Sequence, residues 1–135
     1  MKKLLLAVVA AVLLAGSAVS AGEIRIAMIL KALDAEFWLS VRDGAEDAAK
    51  AAPVGALTVM APDRESNVQQ QVQSVEDQLV QGIDVLCRAP CGGQELMPVM
   101  DRAHGMGIPV VLVDTDAPWD KKAAYVGTNN VVGGK

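Results

Sequence analysis

The sequence predicts an α/β fold: a doubly wound parallel sheet. Two observations carry that expectation. Short apolar, β-branched runs alternate with longer stretches of helical periodicity, in the order strand, helix, strand, helix, strand, helix, strand. Glycine, proline and short polar residues fall mostly at the borders of these stretches. Right-handed crossovers between parallel strands then place helices on both faces of the sheet.

The elements follow in order. Residues 24–30 are a nearly continuous apolar run, with Ile24, Ile26, Met28 and Leu30 in it, and read as a buried strand. Residues 36–52 repeat Trp38, Val41, Ala45, Ala48 and Ala52 at helical spacing, and Pro53 stops them. Residues 56–60 give a second strand. After the polar turn Asp63-Arg64-Glu65, Ser66 and Gln69 are spaced as a capping box, opening a helix with Val68, Val72, Val75 and Leu79 on one face. Gly82 falls where a left-handed C-terminal cap belongs.

Residues 84–87 form a third, short strand. Gly92 and Gly93 loosen the next loop, and a helix follows with Leu96, Val99, Met100 and Ala103 inward until Gly105 and Gly107 end it. Residues 108–114 are a fourth strand, with Pro109 at its start, where a missing donor is tolerated. Residues 123–126 give a fifth.

Ahead of these elements stands a different kind of segment. Lys2 and Lys3 precede an apolar run over residues 4–15, and Val19-Ser20-Ala21 supplies the small residues of a cleavage site. This is the layout of a secretory signal, so residues 1–21 are expected to be removed. The run holds 12 residues, short of the roughly 20 that cross a bilayer. No cysteine follows it to carry a lipid, so the product is expected to be soluble rather than membrane-anchored. Residues 22–135 are enough for one core and one domain.

The formal net charge is −4, and losing two lysines makes the exported chain more acidic. That composition argues against a nucleic-acid partner, which calls for a basic surface. Cys87 and Cys91 enter an oxidising compartment, where a disulfide is chemically allowed. Four residues of extended strand span about 13 Å, against about 5.5 Å between bridged Cα atoms, so two separate thiols are the better expectation.

In open parallel sheets ligands bind beyond the carboxyl ends of the strands, at the switch point of the topology. The residues that matter therefore follow Leu30, Cys87, Val113 and Val126. After the first strand come Lys31 and, further on, Phe37-Trp38, two of only four aromatic residues in the chain. Adjacent helical residues point about 100° apart, so one ring is expected inward and the other toward the cleft, where an aromatic face suits the C–H face of a sugar. Lys31 is either one donor at the strand end or a solvated charge. Asp114, after the fourth strand, is an acceptor-only carboxylate able to take two vicinal hydroxyls, or else a turn residue.

Arg88 is read as a solvated surface charge in preference to a fork donor, and Trp119 as a ring at the cleft edge or an exposed loop residue. Asp116 and Asp120 read as turn residues. His104, on the last turn of a helix, complements the helix dipole.

The sequence lacks G-x-G-x-x-G, G-x-x-x-x-G-K, G-x-S-x-G and H-E-x-x-H. It offers no positive argument for catalysis, for a cofactor or for a metal, and predicts a binding protein rather than an enzyme.

Several segments, taken in order, resemble periplasmic sugar-binding proteins of the ribose-binding class. They are Ile26-Ala27-Met28-Ile29-Leu30-Lys31, Phe37-Trp38, Arg42-Asp43-Gly44-Ala45, Gln81-Gly82-Ile83-Asp84, Ala89-Pro90, residues 107–114, Val126-Gly127-Thr128-Asn129-Asn130 and Gly133-Gly134-Lys135. The resemblance implies a two-lobed periplasmic receptor, monomeric at full length, that closes by a hinge on a monosaccharide and delivers it to the membrane permease of an ABC transporter. Carried over by position, it makes Phe37 and Trp38 the sugar-stacking pair and Asp114 the hydroxyl acceptor. The allose-binding branch is closer, and there Lys31 also touches the sugar.

Ala35, Ala89 and Thr115 depart from the ribose binders, which carry Asn, Asn and Arg, and so point away from ribose itself. The family's second lobe is expected to follow Lys135, so residues 22–135 read as a truncated N-terminal lobe that binds sugar weakly or not at all alone. Three rival readings differ in class. A receptor presenting a sugar-like signal to a chemoreceptor or sensor kinase shares every feature and separates only by gene context. A flavodoxin-like small-molecule binder lacks its phosphate loop. A DNA-binding repressor lacks its helix-turn-helix and basic face.

Overall fold

The computed structural model describes residues 23–133. The expected signal peptide, residues 1–21, lies outside the described residues. Five strands are β1 Arg25–Ile29, β2 Ala56–Met60, β3 Val85–Arg88, β4 Val110–Val113 and β5 Ala124–Val126. The helices are α1 Glu36–Ala51, α2 Val68–Gln81, α3 Met97–Gly105 and α4 Asn130–Gly133, with a 3-10 turn at Gln94–Leu96. The expected doubly wound sheet is present. All pairings are parallel and the order is β2-β1-β3-β4-β5. The chain leaves β1 toward β2 on one side and returns to β3 on the other, so the switch point lies between β1 and β3.

Strand periodicity sorts side chains onto two faces. Ala27, Ile29, Leu86, Arg88, Val110 and Leu112 share one face and are buried. Above them lie Val75 and Leu79 of α2 and Val99, Met100 and Ala103 of α3, the inward sets that helical spacing predicts. The opposite face carries Met28, Cys87, Val111 and Val113, all half-buried. Here the helix is α1, whose Trp38 and Val41 pack with Met28 and Val59. Trp38 is the one fully buried residue of α1. Ala48 and Ala52, expected inward, are exposed. Those alanines line an apolar groove of about 240 Å³ with Ile26, Met28, Leu57 and Cys87.

The caps explain where elements stop. Gly82 closes α2 at φ 80°, a left-handed cap that costs glycine nothing. Gly107 takes φ 78° one residue beyond the Met106 that caps α3. The expected capping box is not formed: Asn67, not Ser66, caps α2 by accepting from Gln70 N at 3.2 Å, and the Asn67 N–H donates to Arg64 O. Gln70, not Gln69, then closes the turn, its Oε1 accepting from Asp63 N at 2.8 Å. Two cap-competent residues stand side by side, and the second also donates through Nδ2 to Asp63 Oδ1 at 3.0 Å.

Candidate ligand site at the strand ends

The carboxyl ends of β1, β3, β4 and β5 open on one edge of the sheet. At the end of β1, Leu30 is buried and its N–H donates to Met60 O at 2.8 Å, extending the ladder by one residue. Lys31 then emerges half-buried, and its carbonyl sits 3.7 Å from the Cys91 thiol. The ladder bond of Leu30 and the thiol contact of Cys91 thus hold the Lys31 backbone at the end of β1.

The neighbouring rings divide as helical geometry requires. Trp38 is 5% exposed and Phe37 53% exposed. The two rings meet edge-on, 4.9 Å between centroids and 75° between planes, a favoured aromatic geometry. Trp38 Nε1 donates to Glu65 Oε1 at 3.0 Å, so the polar edge of the buried ring is satisfied by an exposed carboxylate. Phe37 is left with an open ring face on a buried, anchored support.

Asp114 follows β4 in the left-handed conformation, φ 61°, the one non-glycine residue with positive φ among the described residues. Asp tolerates that region better than most residues because its short polar side chain bonds locally. Its backbone is held from both directions. Asp114 N donates to Val126 O at 2.8 Å, and the Tyr125 hydroxyl donates to Asp114 O at 2.7 Å. Thr115 Oγ1 donates to the carboxylate at 3.1 Å. The carboxylate is exposed with most of its acceptor capacity free. Tyr125 is a residue that sequence reasoning missed. The signal was its place on β5, the strand that pairs β4 one step before Asp114.

Two expectations are corrected. Arg88 is not a solvated charge: it is fully buried on the face covered by α2 and α3, with Nη2 donating to Gln71 Oε1 at 2.8 Å. Its Nε and Nη1 have no partner, and burial pushes its pKa down to about 10. Strand parity carries it inward, since Arg88 alternates with Cys87 and matches Leu86. Trp119 is neither a cleft-edge ring nor an exposed loop residue. It is 5% exposed within the larger core, and its Nε1 donates to Asp101 Oδ1 at 2.9 Å. Hydrogen bonds from Lys121 and Trp119 hold the Asp101 carboxyl below its usual range.

His104 sits in the last turn of α3, the expected place, and Asp116 accepts from the following Ala117 N at 2.8 Å. Cys87 and Cys91 are free thiols, and burial raises both pKa values. Among the described residues, no group of three His, Cys, Asp or Glu is placed to hold a metal ion, and no helix is long and apolar enough to cross a membrane.

The candidate site so far has one exposed aromatic face and one lysine beyond the end of β1, and one acceptor carboxylate beyond the end of β4. That set can stack on an apolar ring face while bonding hydroxyls at its rim. Comparison with known proteins adds to this picture. The periplasmic binding protein domain family matches residues 26–135. The ribose import binding protein of Bacillus subtilis is 29% identical over 84% of this chain and 36% of its own length. The D-ribose/D-allose-binding protein of Pseudomonas aeruginosa is 36% identical over 67% of this chain and 28% of its own length.

Among solved structures, an ABC transporter periplasmic solute binding protein from Actinobacillus succinogenes with bound D-allose superposes with a TM-score of 0.74. It is 28% identical and the match covers 82% of this chain and 41% of that one. An ABC transporter solute binding protein from Agrobacterium vitis with bound D-fucose gives 0.75 at 30% identity, covering 82% and 39%. The chain thus spans well under half the length of these relatives.

Proposed function

Because the chain belongs to the periplasmic binding protein domain family, we propose that it forms one wall of a monosaccharide cleft in a receptor serving an ABC transporter permease. The observation that carries this reading is the exposed Phe37 ring, braced by buried Trp38, on the same sheet edge as the Asp114 carboxylate. Phe37 stacks on the C–H face of the sugar, where burial of apolar surface drives contact. Asp114 accepts two neighbouring hydroxyl hydrogens, and charge-assisted bonds of this kind are the strong ones. Lys31 donates to a further hydroxyl from the end of β1. Trp38 acts from behind, fixing the plane of Phe37. The compartment this reading requires is the periplasm, and residues 1–21 are the segment that takes the chain there.

Calorimetric titration with a panel of pentoses and hexoses tests the proposal. One wall of a cleft is expected to bind one or a few monosaccharides only weakly, and Asp114→Ala, which loses two bonds to a charged acceptor, is expected to abolish the heat of binding. Equal affinity of Asp114→Ala and the parent for every sugar would remove Asp114 from the site.

A further inference from the structure

Gln71 is fully buried on α2, far in sequence from every residue assigned to the site, yet all of its side-chain bonding capacity converges on the strand ends. Its Nε2 donates to Leu30 O at 3.0 Å and to Ala89 O at 2.8 Å. Its Oε1 accepts from Arg88 Nη2 at 2.8 Å and from Cys91 N at 3.0 Å. Two carbonyls on one side and two donors on the other fix the orientation of the amide. Of these four partners Arg88 is the last residue of β3, Leu30 and Ala89 are the first residues beyond β1 and β3, and Cys91 lies in the loop after β3, so the bonds span both sides of the switch point. Ladder bonds end there: Ala89 N donates to Ile29 O, after which the two chains diverge.

We propose that Gln71 is the positioning residue of the ligand site: by bridging Leu30 and Ala89 it sets the separation of the β1 and β3 ends, and so places Lys31 and the Cys91 loop around the ligand. This rests on the monosaccharide reading above. A buried primary amide with every group satisfied is rigid, because each partner it loses leaves a desolvated group unpaired. The Cys91 thiol against Lys31 O closes the same arrangement from the outside. Arg88 has a place in it as the donor that holds Oε1 toward the loop, which gives a guanidinium in the core a local reason.

Two substitutions separate the halves of the bridge. Gln71→Met keeps the volume and removes all four bonds. Gln71→Glu keeps the acceptors for Arg88 and Cys91 N but removes both donors to the strand-end carbonyls. Amide hydrogen exchange is read by NMR at Cys91, with Leu86 of the core as internal reference, and sugar affinity is read by calorimetry. Leu79→Ala, a core truncation on the same helix, serves as the control for loss of stability alone.

In Gln71→Met, exchange at Cys91 should rise about tenfold relative to Leu86, while Gln71→Glu should keep it within about threefold of the parent. Both variants should lose sugar affinity about tenfold or more, and Leu79→Ala should retain it. Cys91 exchange that follows Leu86 in Gln71→Met, or sugar affinity in Gln71→Glu equal to that of the parent, overturns the assignment. If Gln71→Met does not fold, Gln71→Glu against Leu79→Ala decides by affinity. If the parent binds no monosaccharide while the exchange pattern appears as described, the sugar reading fails and the bridge between strand ends stands.

Discussion

The two faces of this sheet are built from the same kinds of residue and reach different degrees of burial. Under α2 and α3, Ala27, Ile29, Leu86, Val110 and Leu112 are at or near zero exposure. On the α1 side, Met28, Cys87, Val111 and Val113 stay half-buried, and an apolar groove remains between helix and strands. Parallel sheets are ordinarily covered on both faces. The strands meet that demand equally, being apolar at every position from Ile26 to Leu30. The difference lies in the helices: two amphipathic helices stand on one side, and on the other a helix that contributes one buried side chain. Strand sequence alone records that a face is meant to be covered; what covers it is read from the helices.

The largest expected effect tests that contrast directly. Leu86→Ala opens a cavity in a filled face and should cost about 3 kcal/mol, whereas Val111→Ala on the thin face should cost about 1 kcal/mol or less. Urea unfolding of both variants measures the gap, and equal losses would mean that the two faces are equally packed. Arg88 is an exception within the full face. Its Nε and Nη1 lie buried without partners, so Arg88→Met should leave stability unchanged or raise it by about 1 kcal/mol, even though it removes a hydrogen bond. A loss of about 3 kcal/mol would show instead that the guanidinium is well compensated.

A smaller gain is expected on the thin side. Ala35 precedes α1 with no side-chain bond to the free N–H groups, so Ala35→Asn should add about 1 kcal/mol by capping the helix that covers this face. A melt that does not move would show that α1 is already held by Trp38 alone. The smallest effect is in acid. Hydrogen bonds depress the Asp101 carboxyl through Lys121 and Trp119, and that of Asp116 through Lys122 and Ala117 N. Their contribution is present above the ordinary carboxylate range and is lost as pH falls below about 4, through the lowered folded values. In Asp101→Asn the acid limb of the stability profile should be shallower, with the neutral limb nearly flat.

Much of this was readable in advance, for physical reasons that differ by residue. The strands and the three long helices follow from period and punctuation, and Gly82 and Gly107 mark left-handed positions that few other residues take. The division of Phe37 and Trp38 follows from 100° per residue, although which ring points inward is decided by Glu65, a partner 27 positions away. Arg88 was misread because a charge beside an apolar strand usually marks its end; its burial depends on Gln71, which nothing local announces. Trp119 was misread because its segment has no period, and Asp101 and the core receive it only once the chain has folded. The strand-end rule points to the candidate edge, and the bonds that hold its backbone come from elsewhere in the chain.

The central claim is that the edge carrying Lys31, Phe37 and Asp114 receives a monosaccharide. Amide chemical-shift mapping of the isotopically labelled chain, titrated with allose, ribose and fucose, tests it even at affinities near 1 mM, about −4 kcal/mol. Saturable shifts gathered around Lys31, Phe37, Asp114 and Thr115 are the predicted result. Shifts absent for every sugar, or gathered along the groove beneath α1, would contradict it.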